Sequence, residues 1–162
     1  MSKKIVKYNL LYSFLLILLV AFDRITKNLA IVNLKEKSDI ELIPNVLSLH
    51  YLENAGAAWG VMQNKIVVFL IITLIVIAIL FYLYVKTPFT KRYIYYRFTL
   101  ILLMAGAVGN CIDRILWKYV VDFIYVKAIN FPVFNVADCY VCIGVVLLAH
   151  CYLFYYKKDK FI

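Results

Sequence analysis

Residues Ile66–Val85 read IVVFLIITLIVIAILFYLYV, twenty consecutive residues without a charge. A helix of this length rises about 30 Å, the thickness of a bilayer's hydrocarbon core. Tyr8–Phe22, Phe98–Ile112 and Cys139–Tyr156 are similarly apolar. Because 65% of the 162 residues are hydrophobic and the mean hydropathy is +0.87, the chain is predicted to be an integral membrane protein of mainly α class.

The apolar runs predict one domain, residues 1–162, built as a four-transmembrane-helix bundle. We expect spans at about 8–32, 66–85, 98–116 and 135–156, with outer loops 33–65 and 117–134. In the first loop, Asp39–Ile43 and Val46–Leu52 alternate in part and flank Pro44-Asn45. This pattern predicts two short strands joined by a turn.

The net charge of +9 is concentrated at one end of the predicted bundle. Ten of the 18 basic residues lie in the N-terminus, the loop Lys86–Arg97 and the tail, together with one acid, Asp159. The remaining charges cancel, so the excess follows the positive-inside rule and does not indicate nucleic acid as a partner. The rule predicts that both termini are cytoplasmic in a cell membrane, with the opposite end of the bundle outside.

Three acidic residues, Asp23, Asp113 and Asp138, each end an apolar run. Counted along the helices from the nearest basic anchor, all three lie roughly 24–28 Å from the cytoplasmic face. Carboxylates at this depth are costly and usually mark function. A site near the outer face is therefore predicted.

Further polar residues accompany these acids. Asn110, Asp113 and Arg114 are spaced to share one helical face, and Asn135 precedes Asp138 by three residues. Asp122 lies in the apolar, β-branched segment Val120–Tyr125, which indicates that the chain folds back there. Two carboxylates a few ångströms apart share one proton, so one activates water while the other polarises a carbonyl.

Other chemistries have little support in the sequence. None of the four serines lies in a recognisable triad or dyad. The two histidines form no His-Glu-x-x-His motif and the sequence contains no phosphate loop, so neither metal nor cofactor is expected. Lys27 follows Asp23 by four residues, which favours a local ion pair over a catalytic amine. Cys139-x-x-Cys142 is interpreted as buried apolar filler in preference to a redox pair.

Five blocks of this sequence resemble, in order and spacing, those of bacterial lipoprotein signal peptidase (signal peptidase II). They are Asp23-Arg-Ile-Thr-Lys27, Asn54-Ala-Gly-Ala-Ala-Trp59, Gly109-Asn-Cys-Ile-Asp-Arg114, Val120-Val-Asp-Phe123 and Phe134-Asn-Val-Ala-Asp138. The resemblance implies a small outer-face β-cradle beside the bundle. It also implies an intramembrane aspartyl endopeptidase of the bacterial cell membrane, which cuts diacylglyceryl-modified prolipoproteins just before the lipidated cysteine.

The resemblance places the catalytic pair at Asp122 and Asp138. The local sequence agrees, because Asp122 has apolar neighbours that should raise its pKa, whereas Arg114 should hold Asp113 ionised in a structural role. Two departures are Lys118, where relatives often have glycine, and Cys139, where serine is common. Residues expected to bind substrate or support the site are Asp23, Lys27, Asn54, Gly56, Asn110, Asp113, Arg114, Asn135 and Ala137.

The expected partners are a lipid-modified prolipoprotein and membrane lipid, with the protein acting as a monomer. Two alternatives remain from the residues alone: a four-helix accessory protein whose polar residues only join helices, and a small proton-coupled transporter. The transporter is disfavoured because the acids cluster near one face and the spans are too few for paired repeats.

Overall fold

The computed structural model describes residues 3–56 and 66–156; the predicted segment Ala57–Gly60 lies outside them. Four helices account for most of the chain: α1 (Lys3–Leu34), α2 (Ile66–Lys86), α3 (Ile94–Trp117) and α4 (Val136–His150). A π-helical turn, Cys151–Tyr155, continues α4, and 3₁₀ turns occur at Lys91–Tyr93 and Lys127–Ile129. The described residues also contain three strands: β1 (Ile40–Ile43), β2 (Leu47–Asn54) and β3 (Val120–Val126).

The helices differ in how much of their surface other helices cover. Within the described residues, three helical segments are long and apolar enough to cross a membrane: Ile66–Lys86, Lys91–Trp117 and Val136–Tyr155. The most apolar part of the segment containing α3 is 61% buried, against 6% for α2. Helix α3 is therefore the centre of the bundle, while α2 presents apolar side chains outward, as a lipid-facing helix does.

The three strands form one antiparallel sheet in the order β1-β2-β3. The predicted strand–turn–strand of the first loop is confirmed, and Asn45 in the turn has a φ of 58°, a conformation that asparagine tolerates. The third strand was not predicted. Its register pairs Asn54 with Val120 and Leu52 with Asp122, so the sheet brings the end of β2 against the start of β3.

A sharp reversal joins α3 to β3. Lys118 follows the last residue of α3 with a φ of 66°, the left-handed conformation in which helices commonly end on glycine. The chain then returns over the bundle as β3. Asp122 is therefore 1% exposed and does not project into water, in agreement with the predicted fold-back.

Close helix packing lies beneath the sheet. A Cβ at Gly106 would lie 2.5 Å from the Ala137 carbonyl oxygen of α4. A Cβ at Gly109 would lie 2.6 Å from Asp23 Oδ2 of α1. These two glycines let α3 approach α4 and α1 closely enough for polar side chains on the three helices to meet.

Candidate active site

Asp122 and Asp138 are brought together by a single residue, Asn135. The Asn135 side-chain amide donates to Asp122 Oδ1 at 2.6 Å, and its backbone N–H donates to Asp138 Oδ2 at 3.1 Å. Asn135 also caps α4, because its Oδ1 accepts from the Asp138 backbone N–H at 3.0 Å. This reciprocal capping box fixes the Asp138 carboxylate in the first helical turn, where the helix dipole favours negative charge.

The end of β2 supplies the second partner of Asp122. The Asn54 side-chain amide donates to Asp122 Oδ2 at 2.8 Å, and Asn54 Oδ1 accepts the Gly56 N–H at 3.0 Å. Asn54 and Gly56, two of the residues expected to bind substrate, therefore form one edge of the site.

A buried lysine connects three polar residues beneath the carboxylates. Lys27 Nζ lies 2.9 Å from Asp23 Oδ2, 2.9 Å from Asp113 Oδ2 and 2.8 Å from Asn110 Oδ1, and its side chain is fully buried. The expected ion pair with Asp23 is confirmed. The Asn110 amide nitrogen in turn donates to Asp138 Oδ1 at 2.7 Å, so the lysine supports Asp138 through Asn110.

The partner predicted for Asp113 is wrong. Asp113 pairs with Arg24 and Lys27 of α1 and accepts the Val121 N–H at 3.2 Å, whereas Arg114 makes no ion pair with the described residues. Consecutive helical residues point about 100° apart, so Asp113 faces α1 while Arg114 faces elsewhere. The Arg114 guanidinium lies 5.2 Å from the Phe69 ring centroid.

Asp23 and Ala137 hold α1 against the start of α4. The Ala137 N–H donates to Asp23 Oδ1 at 2.9 Å, and both residues are fully buried. Neither residue lines the cavity onto which Asp122 and Asp138 open, and the same holds for Lys27 and Asp113. These four residues contact other parts of the protein and lie outside the cavity.

The two carboxylates open onto a cavity of about 520 Å³ between β3, α3 and α4. The segment 131–134 forms one wall, and Arg114 also faces the space. Cys139 and Cys142 line it as well, and Cys142 is exposed, so the interpretation of Cys142 as buried filler is wrong. The remaining lining residues are Asn54, Gly56, Asn110, Val120 and Val141.

The electrostatics of the site favour a proton on Asp122. Burial, reinforced by the Asp138 carboxylate, raises the pKa of Asp122 from 3.8 to about 7. Hydrogen bonds from Asn54 and Asn135 oppose this shift without cancelling it. The predicted direction is thus confirmed, and Asp122 can hold or release a proton near neutral pH.

Two features of the site were missing from the sequence-based prediction. Arg24, paired with Asp113, also stacks 4.6 Å from the Trp117 ring centroid, which ties α1 to the end of α3. The segment 131–134 forms a wall of the cavity, and the Phe134 carbonyl accepts from the Ile124 N–H at 2.8 Å. Arg24 could have been found, since a buried acid on α3 needs a cation on a facing helix.

The sequence is similar to proteins of one family over most of its length. Residues 15–154 match the family model of signal peptidase (SPase) II. A lipoprotein signal peptidase of Enterococcus faecalis (strain ATCC 700802 / V583) is 40% identical over 148 residues, 91% of this chain and 88% of the relative. One of Clostridium novyi (strain NT) is 41% identical over 133 residues, covering 80% and 88%.

Two solved structures, both described as a bacterial membrane enzyme, superpose on the chain with a TM-score of 0.75. They are 35% and 36% identical to it, and each alignment covers 92% of this chain and at least 90% of the other. With three membrane-capable helices and a family match over most of its length, the chain belongs to the signal peptidase II family, bacterial membrane proteases that remove signal peptides from prolipoproteins.

Proposed function

We propose that this chain is an intramembrane aspartyl endopeptidase that cleaves diacylglyceryl-modified prolipoproteins immediately before the lipidated cysteine. One observation carries the proposal: Asp122 and Asp138 share Asn135 as a hydrogen-bond partner and face one cavity. Two carboxylates held this way cannot both ionise cheaply, so the pair retains one proton.

The surroundings of the two carboxylates support a different role for each. Asp138, at the positive end of the α4 dipole, is the base that takes a proton from water. Asp122, whose pKa is raised to about 7, donates its proton to the scissile carbonyl oxygen as the water oxygen bonds to the carbonyl carbon. In the second step the C–N bond breaks. The leaving nitrogen takes the proton from Asp138, and Asp122 regains one from the hydroxyl group.

The cavity suits an extended peptide next to a lipid. A signal peptide that leaves its helix within the membrane needs partners for its backbone, and Asn54 can both donate and accept. The backbone N–H of Gly56 is bound by Asn54, and glycine lets a substrate strand approach closely. The apolar wall at Val141 and Cys142 offers the lipidated side chain a surface without polar groups.

The proposed topology has four spans, with α1 as the first, and both termini in the cytoplasm. The carboxylates then lie near the outer face, at the end of α3 where Asp113 is roughly 24 Å along the helix from Arg97. This arrangement rests on the charge asymmetry of the sequence and on the length of α1, 32 residues. We further propose that the enzyme acts as a monomer, on a substrate presented laterally by the membrane.

The test is cleavage of a purified diacylglyceryl-modified prolipoprotein by protein in detergent. Asp122→Asn and Asp138→Asn should each abolish cleavage and leave the protein folded, since a dyad needs both an acid and a base. Asp39→Asn is the matched control, because Asp39 is an exposed acid of the first loop paired with His50. Near wild-type turnover in either dyad variant would exclude the aspartyl mechanism.

A second pair of variants tests the substrate edge. Asn54→Ala should lower kcat/KM, and Gly56→Leu should block entry of the peptide, with the dyad carboxylates still present. An accessory protein or transporter would show no cleavage in any of these forms, including the wild type. Unchanged kinetics in both variants would remove Asn54 and Gly56 from the substrate site.

A further inference from the structure

Arg97, at the basic end of α3, is a buried cation that forms no ion pair with any of the described residues. It is 2% exposed, and its Nε and Nη1 atoms have no hydrogen-bond partner within the part of the chain that the structure describes. Its Nη2 donates to the Thr87 carbonyl oxygen just beyond the end of α2. The buried Lys27, by contrast, contacts two carboxylates. Burying a cation without an anion is costly, so an anion bound at Arg97 would stabilise this end of the bundle.

The guanidinium lines a small cavity at this end of the bundle. The cavity is about 80 Å³ in volume, larger than one water needs, and Tyr8, Thr90 and Lys91 contribute to its wall. Two aromatic rings restrict the guanidinium: its carbon lies 3.4 Å from the Phe89 centroid and 4.6 Å from the Tyr84 centroid. Arg97 is thus a preorganised donor, and Lys91 adds a second positive charge at the rim.

An apolar groove continues from this cavity along α1. The two spaces share Tyr8, Tyr12 and Ile94, and the groove, about 500 Å³ in volume, extends past Leu15 to Leu18. From position 8 to position 18 the helix rises about 15 Å, half the thickness of a hydrocarbon core. A cationic cavity joined to an apolar channel one leaflet deep fits a molecule with an anionic head and an acyl chain.

We propose that this is a binding site for an anionic phospholipid, with the phosphate on Arg97 and Lys91 and one acyl chain in the groove of α1. The planar guanidinium suits two phosphate oxygens, and basic pockets between membrane helices bind anionic head groups. The site lies 16 residues along α3 from Asp113, about 24 Å from the proteolytic site, and is independent of the proposed catalysis.

Native mass spectrometry of the purified protein in detergent tests the proposal. The probes are phosphatidylglycerol, phosphatidylcholine with the same chains, and glycerol 3-phosphate, which has the head-group phosphate without chains. We expect phosphatidylglycerol to bind about tenfold more tightly than phosphatidylcholine and glycerol 3-phosphate to bind far more weakly than either. Equal affinity for the two lipids would refute the site, and equal affinity for phosphatidylglycerol and glycerol 3-phosphate would indicate a free-phosphate site instead.

Variants separate the head-group cavity from the groove. Arg97→Gln should remove the preference for phosphatidylglycerol, and Lys91→Gln, an exposed position, should weaken binding of this lipid about fivefold. Leu18→Trp should fill the groove and weaken both lipids. Lys86→Gln is the matched control: it removes one charge at the same end, outside both spaces, and should change affinity less than twofold.

The alternative is that Arg97 only caps α2 through the Thr87 carbonyl. In that case Arg97→Gln would lower the thermal midpoint without altering the ratio of the two lipid affinities, and the proposal would be wrong. If Arg97→Gln does not fold, Lys91→Gln and Leu18→Trp decide the matter, because both positions lie at the surface. Unchanged lipid binding in both would overturn the site.

Discussion

Replacing Lys27 by methionine should be among the most destabilising single changes in this protein. Methionine keeps most of the side-chain volume and removes the charge. Asp113 would retain Arg24, but Asp23 would keep only the Ala137 N–H. Breaking a buried ion pair from one side costs about 3–5 kcal/mol, since a carboxylate remains buried without a cation. For a chain of this length each kcal/mol lowers Tm by about 2–4 °C, so we expect a fall of about 6–20 °C.

The control is a second ion pair of nearly the same length at the surface. Lys35 Nζ lies 2.8 Å from Glu53 Oε1, with side chains 42% and 39% exposed. Lys35→Met should cost less than about 1 kcal/mol, because water solvates the remaining glutamate. Thermal unfolding of both variants in the same detergent isolates the effect of burial from that of charge.

A double variant tests the cause. Adding Asp23→Asn to Lys27→Met removes the uncompensated carboxylate, so at least half of the lost stability should return. A Tm within 2 °C of wild type for Lys27→Met alone, or no recovery in the double variant, would refute the reasoning. We also expect slower cleavage by Lys27→Met, because Asn110 would lose the ammonium group that orients it toward Asp138.

Four further predictions follow from single positions. Burial raises the pKa of Asp122 from 3.8 to about 7, so the folded state holds a proton that the unfolded chain releases. Stability measured as Tm should therefore fall as pH rises from about 4 to 7, and Asp122→Asn should flatten this Tm profile. Cleavage should decline above about pH 7. A flat Tm profile in the wild type would contradict this. Gly109→Ala places a Cβ 2.6 Å from Asp23 Oδ2 and should lower the free energy of unfolding by about 1–3 kcal/mol, measured by thermal unfolding. An unchanged Tm would mean that α1 and α3 can separate freely. Lys118→Gly removes a left-handed non-glycine residue and should raise stability by about 1 kcal/mol; a lower Tm would show that the lysine side chain compensates. N-ethylmaleimide, which adds the Cys142 thiol across its double bond, should block cleavage by filling the cavity. Cys142→Ser, which leaves only the half-buried Cys139 thiol at the cavity, should stay active and be blocked more slowly, and normal cleavage by fully labelled protein would refute the block.

Local features of the sequence predicted much of the fold. The alternation around Pro44-Asn45 fixes β1, β2 and their turn, because strand pattern and turn residues act within a few positions. The apolar runs predict long helices for the same reason. β3 was recognised as a fold-back, but its pairing with β2 depends on residues about 70 positions away, which periodicity does not report.

The error at Asp113 has a geometric cause. Sequence adjacency indicates Arg114 as its partner, yet adjacent helical residues face different directions. The partners that Asp113 does have, Arg24 and Lys27, lie 89 and 86 positions earlier and meet it only because Gly109 lets α1 approach α3. Long-range ion pairs are thus set by helix packing, and the sequence indicates only that a buried acid needs some cation.

Charge balance explains why the pKa of Asp122 is raised while other buried aspartates pair with cations. Lys27 and Arg24 are the cations that α1 brings to this end of the bundle, and Asp23 and Asp113 are paired with them. Asp122 contacts amide donors, Asn54 and Asn135, and no cation pairs with it among the described residues. Amides orient a carboxylate without neutralising it, so burial beside Asp138 raises the pKa of Asp122. The same packing that satisfies the scaffold acids therefore leaves the proposed dyad with a proton to share.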